Sequence, residues 1–196
     1  MSPTGDARTT PPSGLRPTLP PWAVVSQERL EHIVRVAELA ARWAEEMGVP
    51  DNERNRWLRA VWLHDALRDA PAAELEQWAP SAPGPAEFRH GPASAARAKA
   101  DGETDRGVLD AVRYHSMGLA EWDLVGRVLY CADFLEPGRP YHRAELTELA
   151  RQFPRDSRTV LRDVARYRIS HAVLAGWALP DPTVRFWNSL LPPAAG

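Results

Sequence analysis

From Ser26 onward, apolar residues return at three- and four-residue spacing: Leu30, Ile33, Val34, Ala37, Ala40 and Ala41. That period marks one face of an α-helix. Ser26 suits its N-cap, and Gly48-Val49-Pro50 ends it. Asp51 is placed to cap a second helix carrying Trp57, Leu58, Val61 and Leu63, which reaches His64–Asp65 near its end. A short helix follows Pro71, and residues 79–86, with three prolines and a glycine, form a loop. Further helices are predicted at about 91–100, 104–116, 121–134, 143–151, 157–177 and 181–190. No stretch alternates apolar and polar positions as a half-buried strand requires, and no repeat is apparent. The Pro137-Gly138 pair reads as a turn within a domain. The expected fold class is therefore all-α, a single helical bundle over residues 22–191.

The flanks have a different character. Residues 1–21 are rich in Pro, Thr, Ser and Gly and carry few apolar side chains. Such a segment buries too little surface to offset its ordering entropy, so a flexible tail is expected. Residues 192–196 would be a short C-terminal tail.

Composition narrows the class. The 196 residues suffice for one good core, and 44% hydrophobic with 26% charged is ordinary for a soluble domain. A formal net charge of −2 gives no global basic field, so nucleic acid is not an expected partner. No apolar run is long enough to span a bilayer. Met1–Pro20 lacks the apolar core of a signal peptide, and the single cysteine, Cys131, excludes an intrachain disulfide. A cytoplasmic location is expected. Basic charge is almost all arginine, Lys99 being the one lysine. Arginine recognises phosphate bidentately, but that reading applies to a few positions only.

The candidate chemistry lies in the histidines, of which there are six. Four of them, with two aspartates, fall in a suggestive order. His32 lies in the first helix, His64–Asp65 ends the second, His90 opens a helix, His115 ends one, and Asp133 lies in a late helix. Imidazole and carboxylate together suit iron, manganese or zinc. Neighbouring side chains diverge by about 100° on a helix. At a helix end, the pair can converge on one ion or reach toward two. A lone histidine is more often a core or surface residue than a ligand. His142, in a Pro-Tyr-His-Arg loop, and His171, between Ser170 and Ala172, are read as structural or exposed. Trp57 and Trp62, at helical spacing, are read as core.

The local contexts carry more than the single residues. They are Arg29-x-x-His32, Leu63-His64-Asp65, His90-Gly91-Pro92, Tyr114-His115-Ser116-Met117-Gly118, Ala132-Asp133-Phe134-Leu135-Glu136-Pro137-Gly138-Arg139 and Thr183…Trp187-Asn188-Ser189-Leu190. In this order they resemble the HD-domain metal-dependent phosphohydrolases. Within these, they resemble the bacterial diadenosine tetraphosphatases that cleave symmetrically, over about residues 24–191. The resemblance implies one helical HD domain with a centre of two divalent metal ions, iron first and manganese or zinc as alternatives. Carried over by position, it implies that His32, His64, Asp65 and Asp133 hold one ion. His90 and His115 would hold the other, with Asp65 as the bridge. The implied reaction is hydrolysis of diadenosine tetraphosphate to two ADP by a metal-activated water.

Asp65 and Arg68 are the catalytic candidates. Arg68 and Arg139 are the first candidates for gripping phosphate, Arg29 is another, and Ser116 and Gly118 would let the chain approach it. The plain alternative for each arginine is a surface salt bridge. The family usually has Lys where this chain has Arg68, which keeps the cation but presents a wider fork. It often has Thr where Ser116 and Met117 stand here. The implied partner is a small nucleotide, and the apolar, Trp-bearing C-terminal region leaves a homodimer open. Two other readings remain: an HD phosphohydrolase acting on a nucleoside monophosphate, deoxynucleotide or guanosine alarmone, and a non-catalytic nucleotide sensor.

Overall fold

The computed structural model describes residues 18–192 apart from positions 83, 85 and 140. Among the described residues the regular structure is all helical, with no strand. The helices are α1 (Gln27–Glu46), α2 (Asp51–His64), α3 (Ala72–Trp78), α4 (His90–Ala100), α5 (Arg106–Tyr114), α6 (Leu124–Leu135), α7 (Arg143–Gln152), α8 (Ser157–Leu174) and α9 (Asp181–Leu190). A 3₁₀ turn at Ala86–Phe88 precedes α4. Most of the expected N-terminal tail, and residues 193–196, lie outside the described residues. Of the tail's last four residues, Leu19 packs against the core.

Local chemistry sets the boundaries. Ser26 caps α1, its hydroxyl accepting from Arg29 N–H at 3.2 Å. Gly48 follows α1 at φ +63°, where a side chain would be strained. Pro50, not Asp51, precedes the first helical residue of α2, because its carbonyl already accepts from the N–H groups of Glu53 and Arg54 at 3.0 Å each. Asp51 instead places its charge in the first turn, where the helix dipole favours it. α5 and α6 start later than the apolar period suggests, since Asp105 accepts from Val108 N–H and Asp123 from Val125 N–H, fixing each cap. α8 stops at Leu174, short of 177, and Gly176 turns the chain at φ +72°.

α1, α2, α5 and α6 pack around one core, including Ile33, Trp57, Val61, Val112 and Leu129. Trp57 and Trp62 are both buried there. Trp43 stacks on Phe153 at 4.0 Å, and its indole N–H donates to Ala150 O at 2.8 Å, tying α1 to α7. A fully buried side chain of this size stabilises by roughly 2–3 kcal/mol. α4 packs on α2 and α5, α7 and α8 on α6, and α9 on α8. Two helix ends, one helix start and two helix interiors thereby meet on one side of the core. Among the described residues, no helix is long and apolar enough to cross a membrane.

Candidate metal centre

Asp65 is the hub. It is the C-cap of α2, at φ −110° and ψ 15°, so it departs from the helical path just after His64. One carboxylate oxygen, Oδ2, lies 3.8 Å from His32 Nε2 and 3.6 Å from His64 Nε2. The other, Oδ1, lies 3.1 Å from His90 Nε2 and 3.6 Å from His115 Nε2. Two groups of candidate ligands result, His32–His64–Asp65 and Asp65–His90–His115, each with its atoms within 4.8 Å of one another. Asp133 lies beside the first, its Oδ1 3.1 Å from His32 Nε2. All six residues are buried. The structure thus brings together every residue singled out as a metal ligand.

The hydrogen bonds fix which ring atom faces inward. His64 Nδ1 donates to Val61 O at 2.7 Å, His90 Nδ1 to Glu87 O at 2.7 Å, and His115 Nδ1 to Val112 O at 2.8 Å. A carbonyl only accepts, so each ring, when neutral, carries its proton on Nδ1 and turns an Nε2 lone pair to the centre. His90 Nε2 and His115 Nε2 then face each other at 3.0 Å, and His90 Nε2 faces an anionic oxygen, with no proton between. His32 Nε2 and His64 Nε2 are buried and have no hydrogen-bond partner. Lone pairs that face lone pairs in a buried site are costly unless a cation lies among them. The donor set, neutral imidazole plus carboxylate, suits a divalent transition metal.

Burial pushes His64 down to about 4 and also lowers His90, so both rings stay neutral and competent as ligands. Burial pulls His32 down too, but the Asp133 and Glu136 carboxylates outweigh it and raise its pKa. For Asp65, burial opposes ionisation, yet in acid, where the imidazoles carry protons, their charge, His64 first, holds its carboxyl well below the usual range. Asp133 is likewise opposed by burial and held low by Arg168, His32 and Arg139.

The other candidates take varied places. Arg29 donates to Asp65 Oδ2 at 2.8 Å, so it grips the hub carboxylate. Arg68 donates to Glu87 O at 2.9 Å, the carbonyl that also orients His90. Arg139 donates to Asp133 O at 2.6 Å and Oδ1 at 3.0 Å. Arg68, Ser116 and Arg139 line a cavity of about 630 Å³ that reaches the centre at Asp133. Gly118 is not among its lining residues. A Cβ there would fall 2.1 Å from the Phe186 ring, and φ is +89°, so this glycine serves the packing of α9. His142 and His171 line the cavity but join neither ligand group.

Two residues at the centre were not singled out from the sequence. Glu136, buried and held at about 2, accepts from His32 Nδ1 at 3.2 Å and from Arg35 Nε at 2.6 Å. It lies inside the Ala132–Arg139 segment, so the signal was present without a role. Arg168 in α8 donates to Asp133 Oδ2 at 2.7 Å, Tyr130 O at 3.1 Å and His115 O at 3.2 Å. No motif surrounds it; only its setting on an otherwise buried face would have marked it.

Comparison with known proteins adds a family and relatives to this geometry. The HD domain family matches residues 29–138. The chain is 30% identical over 125 residues to the symmetrical bis(5'-nucleosyl)-tetraphosphatase of Bacillus subtilis (strain 168), covering 60% of this chain and 66% of that protein. It is 29% identical over 121 residues to the protein of the same name from Staphylococcus aureus (strain NCTC 8325 / PS 47), covering 58% and 61%. Each match spans a little under two thirds of the relative's length. The fold resembles the crystal structure of a predicted HD superfamily hydrolase involved in NAD metabolism from Clostridium acetobutylicum. That likeness has a TM-score of 0.73 and 23% identity, covering 85% of this chain and 90% of the other.

Proposed function

The chain belongs to the HD domain family, and from that premise we propose that it is a metal-dependent phosphohydrolase that cleaves diadenosine tetraphosphate symmetrically to two ADP, in the cytoplasm. The observation that carries the reading is the sharing of Asp65. Its two oxygens each face a separate group of buried imidazole lone pairs, which is what a carboxylate bridging two cations requires. A scaffold or sensor has no need of such a bridge. The names of the two bacterial relatives support the substrate.

In this reading His32, His64, Asp65 and Asp133 hold one cation, and Asp65, His90 and His115 the other. When bound, the pair neutralises phosphate charge and lowers the pKa of a coordinated water. The remaining work falls to the chain. Arg29 keeps the Asp65 carboxylate turned to the centre, and Glu136 orients His32. Arg68, Arg139 and Arg168 line the cavity and present cations to the bridging phosphates. Among the described lining residues three arginines stand against one acid, Asp133, so the charge an anionic substrate meets is mainly cationic.

Elemental analysis of the purified protein, followed by chromatography of the products from diadenosine tetraphosphate, tests the proposal. About two transition-metal ions per chain and ADP alone are expected. ATP plus AMP, or no turnover with metal bound, rejects the activity. Loss of turnover in air, restored by a reductant, identifies iron; insensitivity to oxygen favours manganese or zinc.

A further inference from the structure

The aromatic side chains of the cavity fall into two clusters, each with an arginine near it. In one, Phe88 and Trp177 meet edge to face at 6.2 Å, and His171 stands against Trp177 at 5.7 Å. Arg68 goes with this cluster, since it binds the carbonyl of Glu87, next to Phe88, and that carbonyl orients His90. In the other, Phe134 lies 6.5 Å from Tyr141 and 6.0 Å from Tyr167. Arg139 goes with it, two residues before Tyr141 and bonded to Asp133. Each cluster therefore comes with an arginine bonded close to a different proposed ligand.

Packing does not account for the outer rings. Trp177 is 41% exposed and Tyr141 44% exposed, yet both line the cavity. Large aromatic faces left open in a cavity that also presents Arg68, Arg139 and Arg168 suit stacked bases whose phosphates run to the arginines. We propose that the Phe88–Trp177 and Tyr141–Phe134–Tyr167 clusters are two separate nucleobase subsites. The cavity then takes a two-ended nucleotide with its phosphate bridge running past Arg68 and Arg139, where the cavity reaches the centre at Asp133. This rests on the dinucleotide reading above and adds residues to it. It also separates that reading from a mononucleotide hydrolase, which needs one base subsite only.

The test counts ADP bound to the metal-loaded full chain by equilibrium dialysis and measures the steady-state kinetics of diadenosine tetraphosphate. Two ADP per chain are expected for the unaltered protein. Trp177→Ala and Tyr141→Ala should each weaken one of the two by roughly ten-fold, the scale of one base–aromatic stack. Each should also raise KM by about as much, and more than it lowers kcat. Their exposure makes misfolding an unimportant outcome, and Trp177→Phe and Tyr141→Phe should restore most of the binding. One ADP per chain in the unaltered protein, or a KM unmoved in either alanine variant, overturns the two-subsite assignment. If ADP is the product but only one ADP binds, the subsites fall and the activity stands. If two ADP bind, and the alanine variants each lose one, without any cleavage, the subsites stand and the activity falls.

Discussion

Two charged clusters join α2 to the helices around it, and they are built on opposite rules. Around Arg56, every charge has its complement. The guanidinium donates to Glu53 at 2.8 Å, to both oxygens of Asp105 at 2.6 and 3.0 Å, and to Asp123 at 2.8 Å. Around Asp65, acceptors face acceptors: two imidazole lone pairs at 3.0 Å, and two more buried ring nitrogens with no partner. The first cluster is complete with protein atoms alone. The second leaves buried acceptors that no protein donor completes, as a cation site would. Incomplete pairing under burial is expensive, so the contrast marks which cluster is for structure and which for chemistry.

If that contrast holds, the two clusters break differently. The largest effect is expected from Asp65→Ala. It should abolish turnover and metal retention together, while the helical circular-dichroism signal stays largely intact, because α2 ends before the residue. Retained metal or activity would remove the hub. Next, Glu136→Gln should lower metal affinity or activity by roughly 10- to 100-fold, the usual range for a residue that orients a ligand. Metal titration with a competing chelator reads this directly.

Metal binding should also weaken as pH falls. His32 is raised by Asp133 and Glu136, and its proton must leave before Nε2 can bind a cation. Affinity is therefore full above the His32 pKa and is lost as pH drops through it, whereas a pH-independent affinity from 8 to 5.5 would contradict the assignment of His32.

Gly91→Ala is expected to act more gently. A Cβ there would lie 3.0 Å from His115 Cε1 and from Val112 O, so α4 must back away from α5. Overpacking of this kind costs about 1–3 kcal/mol. A drop in activity that exceeds the drop in metal content, measured on the same sample, would show that the His90–His115 spacing matters.

The smallest effect belongs to the complete cluster. Asp105→Ala removes the cap of α5 and one partner of Arg56, and should cost about 1 kcal/mol in thermal or denaturant unfolding without changing metal content. The Asp105 carboxyl is held at about 2 by Arg56, against about 3.9 in an unfolded chain. A folded value below the unfolded one means the contribution is full above about pH 4 and is lost as pH falls toward 2. The variant and the parent should converge in acid.

The contrast also explains how much could be read from the sequence. Periodicity and punctuation locate the helices because α1 repeats Ile33, Val36, Ala37 and Ala40 on one face and Gly48 stops it. The ligand candidates are legible through the joint order of their motifs and the family resemblance it carries, since a lone histidine or a single His64–Asp65 pair is ambiguous. What stayed hidden depends on pairing between distant segments. Arg29 meets a carboxylate 36 positions away, and Glu136 meets a ring 104 positions away. Arg168 reaches α6 and the end of α5 from a helix whose spacing looks like any amphipathic surface. Hydrogen-bond accounting of this kind is fixed by the assembled core, and no local period records it. Asp51 failed as a cap for a simpler reason, since the Pro50 carbonyl starts the helix one residue earlier.

Three of the four inward-facing rings are held by the same local device, a bond from Nδ1 to the carbonyl three residues back: His64 to Val61, His90 to Glu87 and His115 to Val112. Each ring is thus indexed to its own turn of backbone rather than to its neighbours. Deleting one of these rings is therefore expected to leave the bonds that aim the others in place. On the proposed reading, the sockets would keep their shape between tenants, and which ion fills them would follow from which species is supplied.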